Sequence, residues 1–149
     1  MLLPMPRISY LMLLGATGLL LGGCTKGSEP APAPVYLLDR QWQLLELQGQ
    51  PVPATAESRT SLTLSSTNNT NTGLAFCNQY GGGFTMQPGN NALGFSPQAS
   101  TNSYCSAQPL ETRYLELLPQ VRRYLISNRH LQLYDAEHEQ PVLVFEVGK

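Results

Sequence analysis

The residues 75–84, AFCNQYGGGF, gather the side chains of this sequence that are most able to do chemistry. A cysteine such as Cys77 can act as a nucleophile when a histidine lies beside it as a base. That chemistry needs a free thiol with His130 or His138 next to it. Because neither histidine stands in a recognisable catalytic motif, we expect no catalytic residue in this chain.

Three consecutive glycines, Gly81, Gly82 and Gly83, follow in the same stretch. Successive backbone N–H groups of glycines can cradle an anion. A phosphate loop, however, continues with Lys-Ser/Thr and the start of a helix, whereas Phe84-Thr85-Met86 is typical of a strand. The sequence therefore predicts a bend or bulge at the glycines, and no phosphate site.

A second candidate site is the group Asp135, Glu137, His138 and Glu139. Imidazole and carboxylates are suitable ligands for divalent metals. These residues are nearly adjacent on a predicted hairpin turn, where side chains rarely converge on one point. We interpret the group as a solvated turn and expect neither a metal nor a cofactor.

Two further sets of residues invite a functional interpretation. Glu111 and Glu116 could be an acid/base pair, but they lie five residues apart on a predicted helix and do not share a face. We interpret both as surface residues. Tyr80 and Tyr104 each lie within three residues of a cysteine and, with Asn78, form a possible binding patch; the alternative is simple packing.

The N-terminal residues indicate where the protein resides. Arg7 precedes an apolar run over 8–21, which is about 14 residues long; a membrane span needs about 20, and a signal peptide only about 7–15. Leu21-Gly22-Gly23-Cys24 then resembles a bacterial lipobox. The resemblance implies a signal peptide over 1–23, acylation of Cys24 and anchoring in a membrane. Thr25, rather than aspartate, favours the outer membrane, with the domain facing the periplasm.

The rest of the chain divides into a tether and one domain. Residues 24–34 contain the acylated cysteine and alternating Pro and Ala, which favour an extended tether. Residues 35–149 have the length of one domain. The chain beyond the signal peptide carries eight basic and ten acidic residues. This balance gives no indication of the basic stripe with which proteins bind nucleic acid. In the oxidising envelope, Cys77 and Cys105 are expected to form a disulfide.

The pattern of apolar residues predicts a β-rich domain. Strands are predicted at 42–47, 61–65, 74–77, 84–86, 93–95, 124–126, 130–135 and 142–147. The polar residues 65–73 are predicted to be a loop. A helix is predicted from Pro109 to Pro119, with Leu110, Tyr114, Leu117 and Leu118 on its buried face. This pattern favours an α+β domain: a curled antiparallel sheet or partial barrel with one helix packed against it.

An ordered set of short motifs resembles the META domain, the HslJ-like family of bacterial envelope proteins. Its members here are Trp42, Leu44, Leu47 and Gly49; Cys77, Asn78, Tyr80 and Gly81; Thr101 and Cys105; Glu111; Tyr124 and Ile126; Leu131 and Leu133; Leu143 and Phe145. Phe76 and Ser103 depart from the family's usual glycine and methionine. The resemblance implies a β-rich fold and a link to envelope stress, and it transfers no catalytic residue.

These observations lead to a main hypothesis with alternatives. We expect a non-enzymatic, lipid-anchored envelope protein that acts as a binding or stabilising module, with an envelope protein or a small ligand as its partner. One alternative is a carrier or pilot lipoprotein that binds a lipid or a peptide in an open barrel mouth. Another is an enzyme that uses Cys77 or a metal at the 135–139 turn, and an inhibitor role is also open.

Overall fold

The computed structural model of this protein describes residues 35–53, 60–87 and 89–148. The predictions for the signal peptide, for Cys24 and for the tether lie outside these residues. They remain predictions.

Ten strands, one α-helix and one 3-10 turn make up the described part of the chain. The strands are β1 Gln41–Leu47, β2 Gln50–Pro51, β3 Ser61–Leu64, β4 Thr70–Leu74, β5 Gln79–Met86, β6 Leu93–Phe95, β7 Ala99–Ser100, β8 Arg123–Ser127, β9 His130–Tyr134 and β10 Leu143–Val147. The helix α1 is Gln108–Leu117, and the 3-10 turn Leu118–Gln120 follows it directly. Within the described residues, no helix has the length and apolar character needed to cross a bilayer.

The strands form one antiparallel sheet that curls almost into a barrel. Its order is β6-β5-β4-β3-β1-β10-β9-β8, with β2 added to β1 and β7 added to β5. The two ends of this order approach each other where Ala92 bridges Arg123 and the Leu93 N–H donates to the Arg122 carbonyl at 3.0 Å. The predicted α+β class, with a partial barrel and a single helix, is confirmed.

Large apolar side chains fill the interior of the curled sheet. Leu62 and Leu64 alternate inward along β3 as predicted, and both are fully buried. Trp42 is also fully buried, and its indole Nε1 donates to the Leu37 carbonyl at 2.9 Å. That hydrogen bond satisfies the one polar group of the side chain in an apolar core.

Helix α1 packs against the sheet with a different face from the one predicted. Tyr114 and Leu117 point inward as expected, but Leu110 is exposed and Glu111 is buried. The ring of Tyr114 packs edge-on against Phe145 at a centroid distance of 6.4 Å. A period-3.6 pattern cannot detect this rotation, because hydrogen bonds, rather than apolar contact, hold Glu111 inside.

Three local predictions in this region are wrong. The strand predicted over 74–77 is instead the end of β4 and a turn. The predicted bulge is continuous strand, since Gly81, Gly82 and Gly83 pair in register with Thr72, Asn71 and Thr70. The polar residues 70–73, predicted to be loop, enter β4 because ladder hydrogen bonds satisfy their backbone and neighbouring groups bury Asn71.

Candidate functional site

The turn between β4 and β5 carries the cysteine–asparagine pair. The Ala75 N–H donates to the Asn78 carbonyl at 2.7 Å and closes the turn. Cys77 and Cys105 are joined by a disulfide, the pairing expected from the sequence, with their Cα atoms 5.8 Å apart. The bond ties the β4–β5 turn to the segment that leads into α1. It also leaves Cys77 without the thiol that a nucleophile requires.

The carboxylate of Glu111 lies beneath this turn and is only 1% exposed. Its Oε2 accepts the backbone N–H groups of Cys77 at 2.6 Å and Asn78 at 2.8 Å. Its Oε1 accepts the side-chain amides of Asn78 at 2.6 Å and Gln108 at 3.2 Å. The interpretation of Glu111 as a surface residue is therefore wrong: four N–H donors and the first turn of α1 compensate for the burial of its carboxylate.

The side chain of Asn78 connects Glu111 to the segment before α1. Its Nδ2 donates to the Ser103 carbonyl at 2.9 Å as well as to Glu111. Its Oδ1 accepts the Thr101 hydroxyl at 2.8 Å and the Ser103 N–H at 2.7 Å. All four hydrogen-bonding positions of the amide are thus used within the protein. Both contacts of Ser103 come from its backbone, so its departure from the family's methionine leaves them intact.

A second buried polar contact lies deeper, between Tyr80 and Tyr114. Their hydroxyl oxygens are 2.6 Å apart, and the Tyr80 hydroxyl also lies 2.8 Å from the Ser61 carbonyl. Since a carbonyl can only accept, Tyr80 donates to Ser61, and Tyr114 donates to Tyr80. Burial raises the pKa of both hydroxyls, that of Tyr114 well above its ordinary value, and the neighbouring Tyr80 raises it further. Both groups therefore stay neutral at physiological pH.

The possible binding patch of Asn78, Tyr80 and Tyr104 does not hold as a single surface. Asn78 and Tyr80 are buried, whereas Tyr104 is 89% exposed. The disulfide brings the two chain segments together, but the side chain of Tyr80 turns inward toward Tyr114 and that of Tyr104 turns to solvent. Tyr80 is a core residue, and Asn78 organises the turn.

A groove of about 360 Å³ runs along the outer side of this cluster, between α1 and the segment that contains β7. Asn78 and Glu111 reach its floor. The groove has one wall formed by residues 97–102 and another formed by α1 from Gln108 to Glu116, continuing to Pro119. Periodicity could not predict this groove, because it lies between two elements that are distant in sequence from the turn beneath them.

The turn after β9 is organised by Asp135. Its Oδ1 accepts the N–H groups of Glu137 and His138, and its Oδ2 lies 2.7 Å from Nδ1 of His138. Burial alone would raise the pKa of Asp135, but the hydrogen bonds from His138 and Glu137 outweigh it and lower the pKa. Among the described residues, no three His, Cys, Asp or Glu side chains are gathered in a way that could hold a metal ion.

Sequence reasoning missed several residues of the cluster around Glu111. Gln108 and the backbone of Ser103 supply hydrogen bonds to it, and the Ser61 carbonyl accepts from Tyr80 in the deeper contact. One signal was present: an acidic residue in the first turn of a helix is stabilised by the helix dipole, and it can turn inward when backbone N–H groups face it. The sequence alone did not show which segment supplies those groups.

Comparison with known proteins places this geometry in a family. A family model for the META domain matches residues 35–148. The fold is similar to that of a Burkholderia xenovorans protein solved by NMR, at 23% identity and a TM-score of 0.59, covering 84% of this chain and 97% of that one. It is also similar to a DUF4847 family protein from Bacteroides vulgatus, at 13% identity and a TM-score of 0.52, and the match covers 75% of this chain and 93% of that one.

These likenesses to solved structures are statements about the fold alone. A search of curated proteins finds no match. The family assignment rests on the match across nearly the whole domain, and its motifs Cys77-Asn78, Thr101 with Cys105, and Glu111 meet in the single cluster described above. The chain belongs to the META domain family.

Proposed function

We propose that this chain is a non-enzymatic, lipid-anchored protein of the bacterial cell envelope whose META domain is a binding or stabilising module linked to envelope stress tolerance. The observation that carries the non-enzymatic part is the state of the Glu111 carboxylate. It is buried and engaged by four N–H donors of the protein itself. A general acid or base must instead be within reach of a substrate proton.

The two centres considered for an enzyme are both engaged in contacts within the protein. Cys77 is in a disulfide and has no nucleophilic thiol. His138 is paired with Asp135 within the turn after β9, and the hydrogen bonds of Asp135 serve to hold that turn. These arrangements support a structural role for the residues most able to do chemistry.

The carrier alternative needs an open apolar interior for a lipid. Trp42, Leu62 and Phe145 are fully buried inside the curled sheet, and their side chains occupy the space that an acyl chain would need. The filled interior favours recognition on the outer surface of the domain.

The lipobox-like residues Leu21-Gly22-Gly23-Cys24 support the proposed envelope location, and the lipid anchor that they imply can be tested directly. We expect the full chain, expressed in a Gram-negative host, to be cleaved before Cys24, to gain the mass of acyl chains, and to sediment with the outer membrane. Cys24→Ser should remain without lipid, and Thr25→Asp should move the protein to the inner membrane. A mature chain that begins elsewhere and carries no lipid would disprove the anchor.

The link to stress tolerance needs a separate test in the organism that encodes the chain. Deletion should increase sensitivity to detergents and other agents that damage the envelope, and the wild-type gene should restore tolerance. Complementation with the Cys24→Ser gene should restore less, because the domain is no longer held at the membrane. A deletion strain with unchanged tolerance to several such agents would argue against this role.

A further inference from the structure

We propose that the groove between β7 and α1 binds an extended peptide segment that carries a lysine or arginine, and that the segment pairs with the outer edge of β7. The proposal rests on the proposed function as a binding module and specifies its surface and its partner. Addition of a strand beside a helix is a recurrent mode of peptide recognition, in which main-chain hydrogen bonds supply affinity and side-chain contacts supply specificity.

The outer edge of β7 has its backbone groups in the orientation that this pairing requires. β7 pairs with β5 through Ser100 opposite Tyr80 and Ala99 opposite Gly81. The Thr101 N–H donates to the Gln79 carbonyl at 3.0 Å. Since hydrogen-bonded and non-hydrogen-bonded pairs alternate in an antiparallel ladder, the N–H and C=O of Ser100 point away from β5.

The strand side of the groove is lined by Ser100 of β7 and by residues on either side of that strand, Pro97, Gln98, Thr101 and Asn102. Among the strands that the structure describes, β7 pairs with β5 alone. The edge is therefore an unpaired template for another strand.

The opposite wall is a rigid helix of suitable length. From Gln108 to Glu116, α1 rises by about 12 Å, which matches three to four residues of extended chain. Leu115 offers an apolar contact, and Thr112 offers a hydroxyl. The floor does not need to rearrange, because the hydrogen bonds between Asn78 and Glu111 already hold it.

The charge of the groove selects the peptide. The charged side chains among the described lining residues are Glu111 and Glu116, and no lysine, arginine or histidine is among them. Glu116 is exposed and lies 3.6 Å from Arg113, whose Nε also donates to Gln48 at 2.8 Å. Exposed ion pairs of this kind contribute little free energy, so a cation of the peptide can share or replace Arg113 as the partner of Glu116.

The test begins with two pools of acetylated hexapeptide amides, built from Ala, Ser, Thr, Val and Leu around a central lysine or a central glutamate. We expect binding from the lysine pool. The strongest lysine peptide, titrated into ¹⁵N-labelled domain, should shift the amide signals of 98–102 and 112–116. Absence of binding from the lysine pool at about 1 mM, whether or not the glutamate pool binds, or shifts confined to other surfaces, would overturn the proposal.

Two variants of Ser100 separate main-chain pairing from other contacts. Ser100→Pro removes an N–H that β5 does not use, and proline is tolerated where an edge N–H faces solvent. It should weaken binding about five- to tenfold or more, whereas Ser100→Ala, which keeps the N–H, should weaken binding less than Ser100→Pro does. If Ser100→Pro does not fold, N-methylation of the peptide's central residues should cause the same loss in the wild-type domain. Unchanged affinity in these experiments would refute strand pairing.

Glu116→Lys tests the charge preference at an exposed position. It should reduce the affinity for the lysine peptide and increase it for the glutamate peptide. Equal affinities in both proteins would contradict the choice of a cationic partner. These outcomes are independent of lipidation: a lipidated protein whose groove binds no peptide would disprove this inference alone, and a peptide-binding domain without a lipid would disprove the envelope anchor alone.

Discussion

Glu111 in the first turn of α1 holds Asn78 at both its backbone and its side chain, through contacts of 2.8 Å and 2.6 Å. The two residues are 33 positions apart in the chain. Together with the disulfide between Cys77 and Cys105, this contact joins the helix to the sheet. It also forms the floor of the groove beside β7.

Substitution of Glu111→Gln should destabilise the domain by about 2–3 kcal/mol, because an amide nitrogen would replace one carboxylate oxygen and face N–H donors. Glu116→Gln is the matched control on the same helix, and its exposed side chain should change stability by less than about 0.5 kcal/mol. Urea unfolding of both variants measures the difference. Equal effects would mean that the buried contacts of Glu111 contribute no net stability.

Loss of the disulfide should also be costly. Cys77 and Cys105 are 28 positions apart. In the chain-entropy model, a disulfide that closes a loop of this length restricts the unfolded chain and stabilises the folded state by about 3.6 kcal/mol. We expect Cys77→Ser combined with Cys105→Ser to lower stability by roughly this amount, and reductant to have no further effect on that variant. Alkylation of the folded wild type without reductant checks the premise, since reactive thiols would show that the bond is absent in solution.

Gly73 should not tolerate a side chain. A Cβ at this position would overlap the Ser61 carbonyl oxygen and lie 2.7 Å from the ring of Tyr80. Gly73→Ala should therefore cost about 3 kcal/mol or prevent folding. Gly83→Ala is the control, because its nearest neighbour would be 3.8 Å away, and it should retain a thermal midpoint close to that of the wild type. A stable Gly73→Ala would show that Ser61 in β3 and Tyr80 in β5 can move away from residue 73 in β4.

The buried tyrosine pair predicts a loss of stability at alkaline pH. Burial raises the pKa of Tyr80 and Tyr114 in the folded state. A raised folded pKa contributes stability below the unfolded value, about 10 for tyrosine, and that stability is lost as pH rises beyond it. Tyr114→Phe should show a smaller loss above pH 10 in denaturant titrations. Parallel pH profiles for the two proteins would contradict this assignment.

Asp135 predicts the opposite dependence, at acidic pH. Its pKa is lowered in the folded state because hydrogen bonds from His138 and Glu137 outweigh its burial. A depressed folded pKa contributes stability above the unfolded value of about 3.9, which is lost as pH falls through the folded pKa. The advantage of the wild type over Asp135→Asn should therefore shrink below about pH 4. A constant difference down to the acid transition would exclude this contribution.

The local pattern of apolar residues was sufficient for most of the fold. Leu62 and Leu64 alternate toward the core in β3, and Tyr114 and Leu117 mark the inner side of α1, because burial of apolar surface follows the period of each element. The pattern failed at residues 70–83. The polar side chains and glycines there are held in strands by ladder hydrogen bonds to β3, β4 and β5, which composition does not reveal.

The sequence by itself determined the fold class and named the motif residues that meet in space. Only the tertiary structure decided what those residues do. It rotated α1 so that Glu111 faces the Cys77-Asn78 backbone, and it separated buried Tyr80 from exposed Tyr104. The physical reason is that a buried carboxylate is stable only where donors from distant segments converge on it, and that convergence depends on packing across the whole sheet.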